Sequence, residues 1–219
     1  MGLSADGTGP GAETVDNYTV PVSGSVSFWI RAHDFADGTQ RLCANNDDFE
    51  CLLYGGDQIT HNYRQSGTTL FFGGVDEELY HVVCVYDTPG YLYLNKIYRN
   101  GVLEDTSDNY QSGTISAVIQ MFNRPGTSNY ADIDLHDIRF YNRVLTPAEI
   151  QTIYQARGGD DIVYGMTSRW PMFEGAPGAT ISGTGVVKDI GADKNNFSSA
   201  TGAPSYVYDA ALIPRRRSV

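Results

Sequence analysis

Two aspartates one residue apart, Asp132 and Asp134, have a spacing that could do chemistry in this 219-residue chain. Side chains at i and i+2 of an extended strand point the same way, roughly 6–7 Å apart, a geometry for two carboxylates to share one hard cation. Asp189, Asp193, Asn195 and Asn196 form a second oxygen-rich stretch. Tyrosines in polar surroundings offer different chemistry: Tyr63, Tyr110, Tyr130 and Tyr206 are flanked by Asn, Ser or Asp, as in Asp108-Asn109-Tyr110 and Ser128-Asn129-Tyr130. An aromatic ring stacks on the apolar face of a sugar while neighbouring amides bind its hydroxyls. Tyr63, Tyr110, Asn129 and Tyr130 are therefore the candidate glycan contacts.

Signs of catalysis are missing. The four histidines (His33, His61, His81, His136) have no partner at i+4, and neither G-x-S-x-G nor a phosphate-binding glycine loop occurs. His81 and His136 lie in strand-like runs, where a structural role is expected. The densest acidic runs, Asp47-Asp48-Phe49-Glu50 and Asp76-Glu77-Glu78, fall between strand patterns and are expected to be solvated loops. Net charge is −11, which repels phosphate backbones and argues against nucleic acid as a partner. Arg215-Arg216-Arg217 is the obvious basic patch. No apolar run is long enough for a membrane span. The opening Met1-Gly2-Leu3-Ser4-Ala5-Asp6-Gly7 lacks the basic and apolar regions of a signal peptide, so synthesis without export by that route is expected. Three cysteines do not make a disulfide framework. Cys84 lies in an apolar run and reads as buried, Cys43 and Cys51 could face each other across a hairpin, and all three are expected to be reduced.

The elements that must position these groups are strands. There are 24 glycines and 15 tyrosines, with turn signals separating short β-branched and aromatic runs. Ser25–Arg31 alternates with Val26, Phe28 and Ile30 on one face, whereas Leu79–Tyr86 is almost continuously apolar and reads as a strand covered on both sides. Asn100-Gly101 predicts a type I′ hairpin. Ile115–Phe122 and Ile133–Tyr141 supply further strands. Thr146-Pro147-Ala148-Glu149 is a capping box opening one short helix, with Ile150, Ile153 and Tyr154 on its apolar face and Gly158-Gly159 as the stop. After residue 160 the composition turns toward Gly, Ala, Ser and Pro, with one strand pattern at Arg169–Phe173 and too little length for a second core. Trp29 and Trp170 read as core residues.

Four blocks carry a resemblance to the laminin-G-like domains of the concanavalin A-like jelly-roll superfamily. They are Ser25-Val26-Ser27-Phe28-Trp29-Ile30; Leu79 to Asp87; Tyr98-Arg99-Asn100-Gly101-Val102; and Ile138-Arg139-Phe140-Tyr141-Asn142-Arg143-Val144-Leu145-Thr146 with Glu149-Ile150. In the tail, Arg169 to Gly175 and Val187 to Gly191 resemble that family's opening strand, displaced here to the far end as in a circular permutation. The resemblance implies an all-β jelly-roll sandwich with one short helix. Residues 1–159 form the sandwich, and residues 160–219 supply a further strand and a wrapping tail of the same domain. It also implies Ca²⁺ as the inorganic partner, with Asp132 and Asp134 as ligands, although His136 stands where the family has its usual aspartate. The paired glutamates of the superfamily's glycosidases are not found, so no enzyme is expected.

The displaced opening strand and the basic end resemble laminin-G-like proteins of tailed phages. The function that follows is a non-enzymatic virion structural protein, a capsid decoration or fibre-associated subunit on the virion surface with a glycan-binding face. It would be a homo-oligomer in contact with other virion proteins through its terminal segments. The alternatives are a stand-alone carbohydrate-binding lectin module and, third, a polysaccharide hydrolase or lyase.

Overall fold

In a computed structural model of the chain, the described residues are 1–8, 11–34, 40–45, 49–54, 58–63, 70–87, 94–107, 115–122, 130–199, 204–209 and 212. In chain order the strands are β1 (Gly2–Asp6), β2 (Ala12–Thr14), β3 (Tyr18–Val20), β4 (Gly24–Ala32), β5 (Gln40–Asn45), β6 (Phe49–Tyr54), β7 (Gln58–Tyr63), β8 (Leu70–Gly73), β9 (Leu79–Asp87), β10 (Leu94–Arg99), β11 (Val102–Ser107), β12 (Ile115–Ala117), β13 (Gln120–Met121) and β14 (Asp132–Tyr141). Helix α1 (Pro147–Ala156) follows, then β15 (Met166–Trp170), β16 (Phe197–Ser199) and β17 (Ser205–Val207).

An eight-stranded sheet runs β11-β10-β9-β4-β14-β1-β17, with β15 also on β14; a seven-stranded sheet runs β16-β2-β13-β5-β6-β7-β8. All the pairings are antiparallel, and β12 pairs with β3 as a separate ribbon. Strand alternation turns Val26, Phe28, Ile30, Val82, Cys84, Leu135 and Phe140 of the first sheet toward Cys51, Leu53, Ile59 and Met121 of the second, in one continuous core. The outer face of the larger sheet is covered as well. Val83, Val85, Tyr98 and Tyr141 pack there against Leu145, Ile150 and Ile153, which is why β9 reads as apolar on both faces.

The local signals act as their chemistry dictates. Asn100 and Gly101 both take positive φ (51° and 83°), as the type I′ hairpin requires. Thr146 Oγ1 accepts from the Glu149 backbone N–H, and the Glu149 carboxylate accepts from the Thr146 N–H at 2.8 Å. The helix stops one residue before the expected glycine pair, because Arg157 itself takes the left-handed conformation and Gly158 follows at φ 85°. Cys43 and Cys51 are register partners on β5 and β6. Cys51 and Cys84 are free thiols whose sulfurs lie 4.0 Å apart in the core.

Strand β14 changes partners along its length. Asp132–Leu135 pairs with β1 and Ile138–Tyr141 with β15, so strands from opposite ends of the chain share one flank. The handover falls at a bulge against β4 between His136 and Arg139, where Asp137 has φ 46°. Tail residues complete both sheets: β17 hydrogen-bonds to β1, and β16 to β2. Trp170 on β15 is fully buried edge-on to Phe140 and Phe197, at 5.7 and 4.7 Å between centroids. A buried charge network locks β15 to β14. Arg139 donates to Asp137 and Asp160, and Arg169 donates from Nε to Asp137 at 2.7 Å. Two cations around two carboxylates, Asp137 and Asp160, leave little uncompensated charge inside.

Candidate functional site

The groove begins at one loop. Asp189, between the bridge at Val187 and strand β16, is buried, and its carboxylate accepts three backbone N–H bonds: Arg169 at 2.8 Å and Gly191 at 2.7 Å on Oδ1, Asn195 at 2.9 Å on Oδ2. Those bonds curl residues 189–195 over β15 and fix Asn195, whose carbonyl then accepts the Trp170 indole N–H at 2.8 Å. The Asn195 side chain reaches across to the β2–β3 turn and makes two bonds with the Asp16 backbone, accepting from its N–H and donating to its carbonyl. Asp193 is held by its own N–H to the Thr167 carbonyl at 2.8 Å.

Between this loop and the β2–β3 turn lies a groove of about 450 Å³, lined by Asp16, Asn17, Thr19, Asn142, Thr167 and Asp193 with Tyr18 and Asn195 at its floor. Its volume is within the range of small-ligand sites. Tyr18 is buried: its hydroxyl shares a 2.6 Å hydrogen bond with Thr167 and its ring lies against Phe140. The exposed rim side chains are amides, hydroxyls and carboxylates, a set that matches the donors and acceptors of sugar hydroxyls. Burial pushes the Asp193 carboxyl above its ordinary range, with the Asp189 charge adding to the shift.

An aromatic platform stands beside Asn142. The Tyr164 ring is 81% exposed and rests on the Arg143 guanidinium at 5.2 Å. Its carbonyl accepts from Arg143 Nε, and the next residue, Gly165, accepts the Asn142 N–H at 2.8 Å. A guanidinium behind one face leaves an aromatic ring oriented for stacking. The sequence points to Asp193 only as part of an oxygen-rich stretch suited to a cation, and not to Asn17, Asn142 or Tyr164 as ligand contacts.

The residues selected from sequence are dispersed. Tyr63 is the last residue of β7, in register with Phe49. Tyr110 and Asn129 lie outside the described residues, as does the Arg215–Arg217 patch. Tyr130 is half-buried just before β14. Tyr206, read as a polar loop residue, is instead buried on β17 in the main core, because β17 completes the sheet beside β1. Trp29 is buried but faces outward, under the helix, where it stacks with Tyr154 at 5.9 Å.

Asp132 and Asp134 flank the core residue Ile133, so both side chains point to the outer face of the larger sheet. Asp134 is already partnered, by His33 Nε2 at 3.2 Å and the Arg31 guanidinium at 3.5 Å. Those contacts already offset the Asp134 charge, which disfavours Ca²⁺ at this pair as it stands. Among the described residues, no group of three or more Asp, Glu, His or Cys could hold a metal ion. Asp132 has Asp6 opposite it on β1. Burial raises its pKa, against His33 and with Asp6, Asp134 and Asp34, whereas Thr8 hydrogen bonds lower that of Asp6. His81 and His136 sit fully buried on the outer face, either side of Trp29 in register.

Two antiparallel sheets with a small helix on the outer face define a jelly-roll sandwich of the lectin type. Residues 6–151 match the family model of the concanavalin A-like lectin/glucanases superfamily (Laminin_G_3), and the chain belongs to that family. No curated sequence relative matches. Among solved structures, a heptameric SAP-like pentraxin from Limulus polyphemus is similar at 18% identity and TM-score 0.59, over 72% of this chain and 82% of that one. A candidate carbohydrate-binding protein from Bacteroides ovatus is similar at 14% identity and TM-score 0.63, over 91% of this chain and 62% of that one. The sialidase of Trypanosoma rangeli, bound to the inhibitor DANA, is similar at 15% identity and TM-score 0.50 over 62% of this chain, which spans 23% of that enzyme. At these identities the likeness is one of fold. Among the described residues no helix is long and apolar enough to cross a membrane.

Proposed function

We propose that the chain is a non-catalytic carbohydrate-binding domain whose ligand lies in the groove between the β2–β3 turn and the loop 189–195. The observation that carries this reading is the groove's composition: neutral and acidic hydrogen-bonding groups on a rim braced by Asp189 and Asn195, with the exposed Tyr164 ring beside it. Membership of a lectin and glucanase superfamily and the likeness to a candidate carbohydrate-binding protein support the same reading. A catalytic alternative needs two carboxylates flanking one bond. The Asp6–Asp132 pair has pKa values pushed apart, but Asp6 is exposed at the end of its strand.

The finer reading, a decoration or fibre-associated subunit on a virion surface, rests on the sequence blocks of the tail. Homo-oligomeric assembly draws support from the heptameric pentraxin, whose fold is similar. Sedimentation of the purified chain reads its oligomeric state, and detection of the chain in assembled particles tests the virion role.

A glycan array with the whole chain, run with calcium and with EDTA, tests the proposal. Specific binding in both conditions supports the groove acting without an ion. Binding lost in EDTA revives Asp132 and Asp134 as calcium ligands. No binding anywhere rejects the lectin reading, and depolymerisation of any polysaccharide rejects its non-catalytic half.

A further inference from the structure

A second pocket lies away from the groove, on the outer face of the larger sheet beside the end of α1. It is about 140 Å³ in volume, well above the ~10–15 Å³ that one water needs. Trp29 and His136 line it, and they are direct cross-strand partners on β4 and β14. Both are almost completely buried, at 2% and 0% exposure. Yet the Trp29 indole N–H has no hydrogen-bond partner, and His136, with Nδ1 packed against Gly2, makes only a loose bond to the Met1 backbone. Polar groups in a folded interior are almost always hydrogen-bonded, so the arrangement calls for a ligand.

The remaining walls define what kind. Pro171, Phe173 and Leu212 present carbon surface. Arg169 is at the pocket too, but its Nε and Nη2 donate to Asp137 and the Gly158 carbonyl, and Arg139 shares the same Asp137. Arg157 and the Met1 ammonium line it as well, the ammonium under the charges of Asp209 and Asp137. Cations and carboxylates thus stand together at the pocket, which favours a neutral ligand over a charged one. Burial lowers the His136 pKa, so its ring is neutral at pH 7, with one donor nitrogen and one acceptor. With the His136 N–H turned to the Met1 backbone, the open hydrogen-bonding capacity is the Trp29 N–H donor and one His136 acceptor nitrogen beside an apolar wall.

We infer that this pocket binds an acetamido group, its carbonyl accepting from Trp29 and its N–H donating to His136, with the methyl against Pro171, Phe173 and Leu212. A neutral secondary amide ending in a methyl supplies each of these features, and a plain hydroxyl supplies no methyl. Phe173 is 56% exposed, so the rest of the ligand leaves toward solvent past it. An N-acetylated sugar and an N-acetylated peptide end share this chemistry. The inference does not depend on the groove, and either site can fail without the other.

The test is titration of the ¹⁵N-labelled whole chain, following the two tryptophan indole N–H signals, assigned with Trp29→Phe. Probes are N-acetylglucosamine, N-acetylglycinamide and glucose. The expected result is a saturable shift of the Trp29 signal with an acetamido probe and none with glucose, while the Trp170 signal, already bonded to the Asn195 carbonyl, stays in place. The larger response between sugar and peptide probe identifies the source. His136→Phe keeps a ring in the site but removes the acceptor, and binding is expected to weaken about tenfold. Should that variant misfold, Phe173→Ala, at the exposed mouth, gives the same weakening without touching the buried pair. No saturable shift with either acetamido probe, or an equal shift with glucose, overturns the inference.

Discussion

Replacing Asp189 by alanine is the perturbation that couples the fold of the tail to the groove. The carboxylate satisfies the N–H groups of Arg169, Gly191 and Asn195, all within 2.9 Å, at a position 4% exposed. An orphaned buried N–H costs about 1–3 kcal/mol, and water entering the space left by the shortened side chain brings each loss to the lower end. Three donors then amount to roughly 3 kcal/mol, which for a domain of this size lowers the melting temperature by about 6–12 °C. Asp189→Asn keeps one oxygen, so it can satisfy the bonds on one side only, and its loss should fall to about 1–2 kcal/mol. The expected order of stability is parent, then Asp189→Asn, then Asp189→Ala, measured by thermal unfolding. Glycan affinity, measured by calorimetry below the transition, should fall more steeply than stability, because the Asn195 clamp on Asp16 is released. If Asp189→Ala melts within about 2 °C of the parent, the carboxylate does not organise this loop and the construction of the groove is refuted.

Three further outcomes follow from the same structure. Burial pushes the His81 pKa down to about 3, with the Arg139 charge next in weight, whereas the unfolded chain takes up a proton near 6.5. The unfolded state therefore binds more protons between those values, and stability falls as pH drops from about 6.5 toward 3, by up to about 5 kcal/mol from this group. His81→Phe should flatten that part of a pH-dependent urea denaturation series, although it also leaves Ser27 without its 2.9 Å partner. Glu149 is held down to about 2, chiefly by its hydrogen bonds to Arg143. Its contribution is complete above the ordinary carboxylate range and is lost as pH falls toward 2; Glu149→Gln should cost about 1 kcal/mol at neutral pH and little in strong acid. Arg139→Ala leaves the buried Asp160 without its cation and Asp137 with Arg169 alone, and should cost about 3–5 kcal/mol in chemical denaturation, far more than Arg143→Ala at the surface.

Most of the fold was legible because its signals are local. The alternation in β4, the double-sided apolarity of β9, the Asn100-Gly101 turn and the Thr146–Glu149 cap each act within a few residues and need no partner to be read. Tyr206 was misread for the opposite reason: its three-residue strand has no periodicity of its own, and only pairing with β1 buries it. Trp29 shows how far alternation reaches. It lies on the face opposite Phe28 and Ile30, but that face is also covered, which only the docking of α1 decides. The candidate groove was almost illegible. Asp16 and Asn195 are 179 positions apart and meet through one side chain, so no spacing rule brings them together. Likewise the outward pair Asp132 and Asp134 follows from alternation, but the Arg31 and His33 contacts that occupy Asp134 come from β4 and the residue beyond it. Arg139 stood out in sequence as part of a family signature. Its physical role is to neutralise two carboxylates at the handover from β1 to β15.

The central claim is that the rim of the groove binds sugar hydroxyls. The most direct test is a paired glycan array of the parent chain and an Asn17→Ala/Asn142→Ala variant, whose substitutions are exposed on the rim. The account predicts defined glycan binding by the parent, lost or weakened at least tenfold in a variant with unchanged melting temperature. A parent that binds no glycan, or a variant that binds as tightly as the parent, would contradict it.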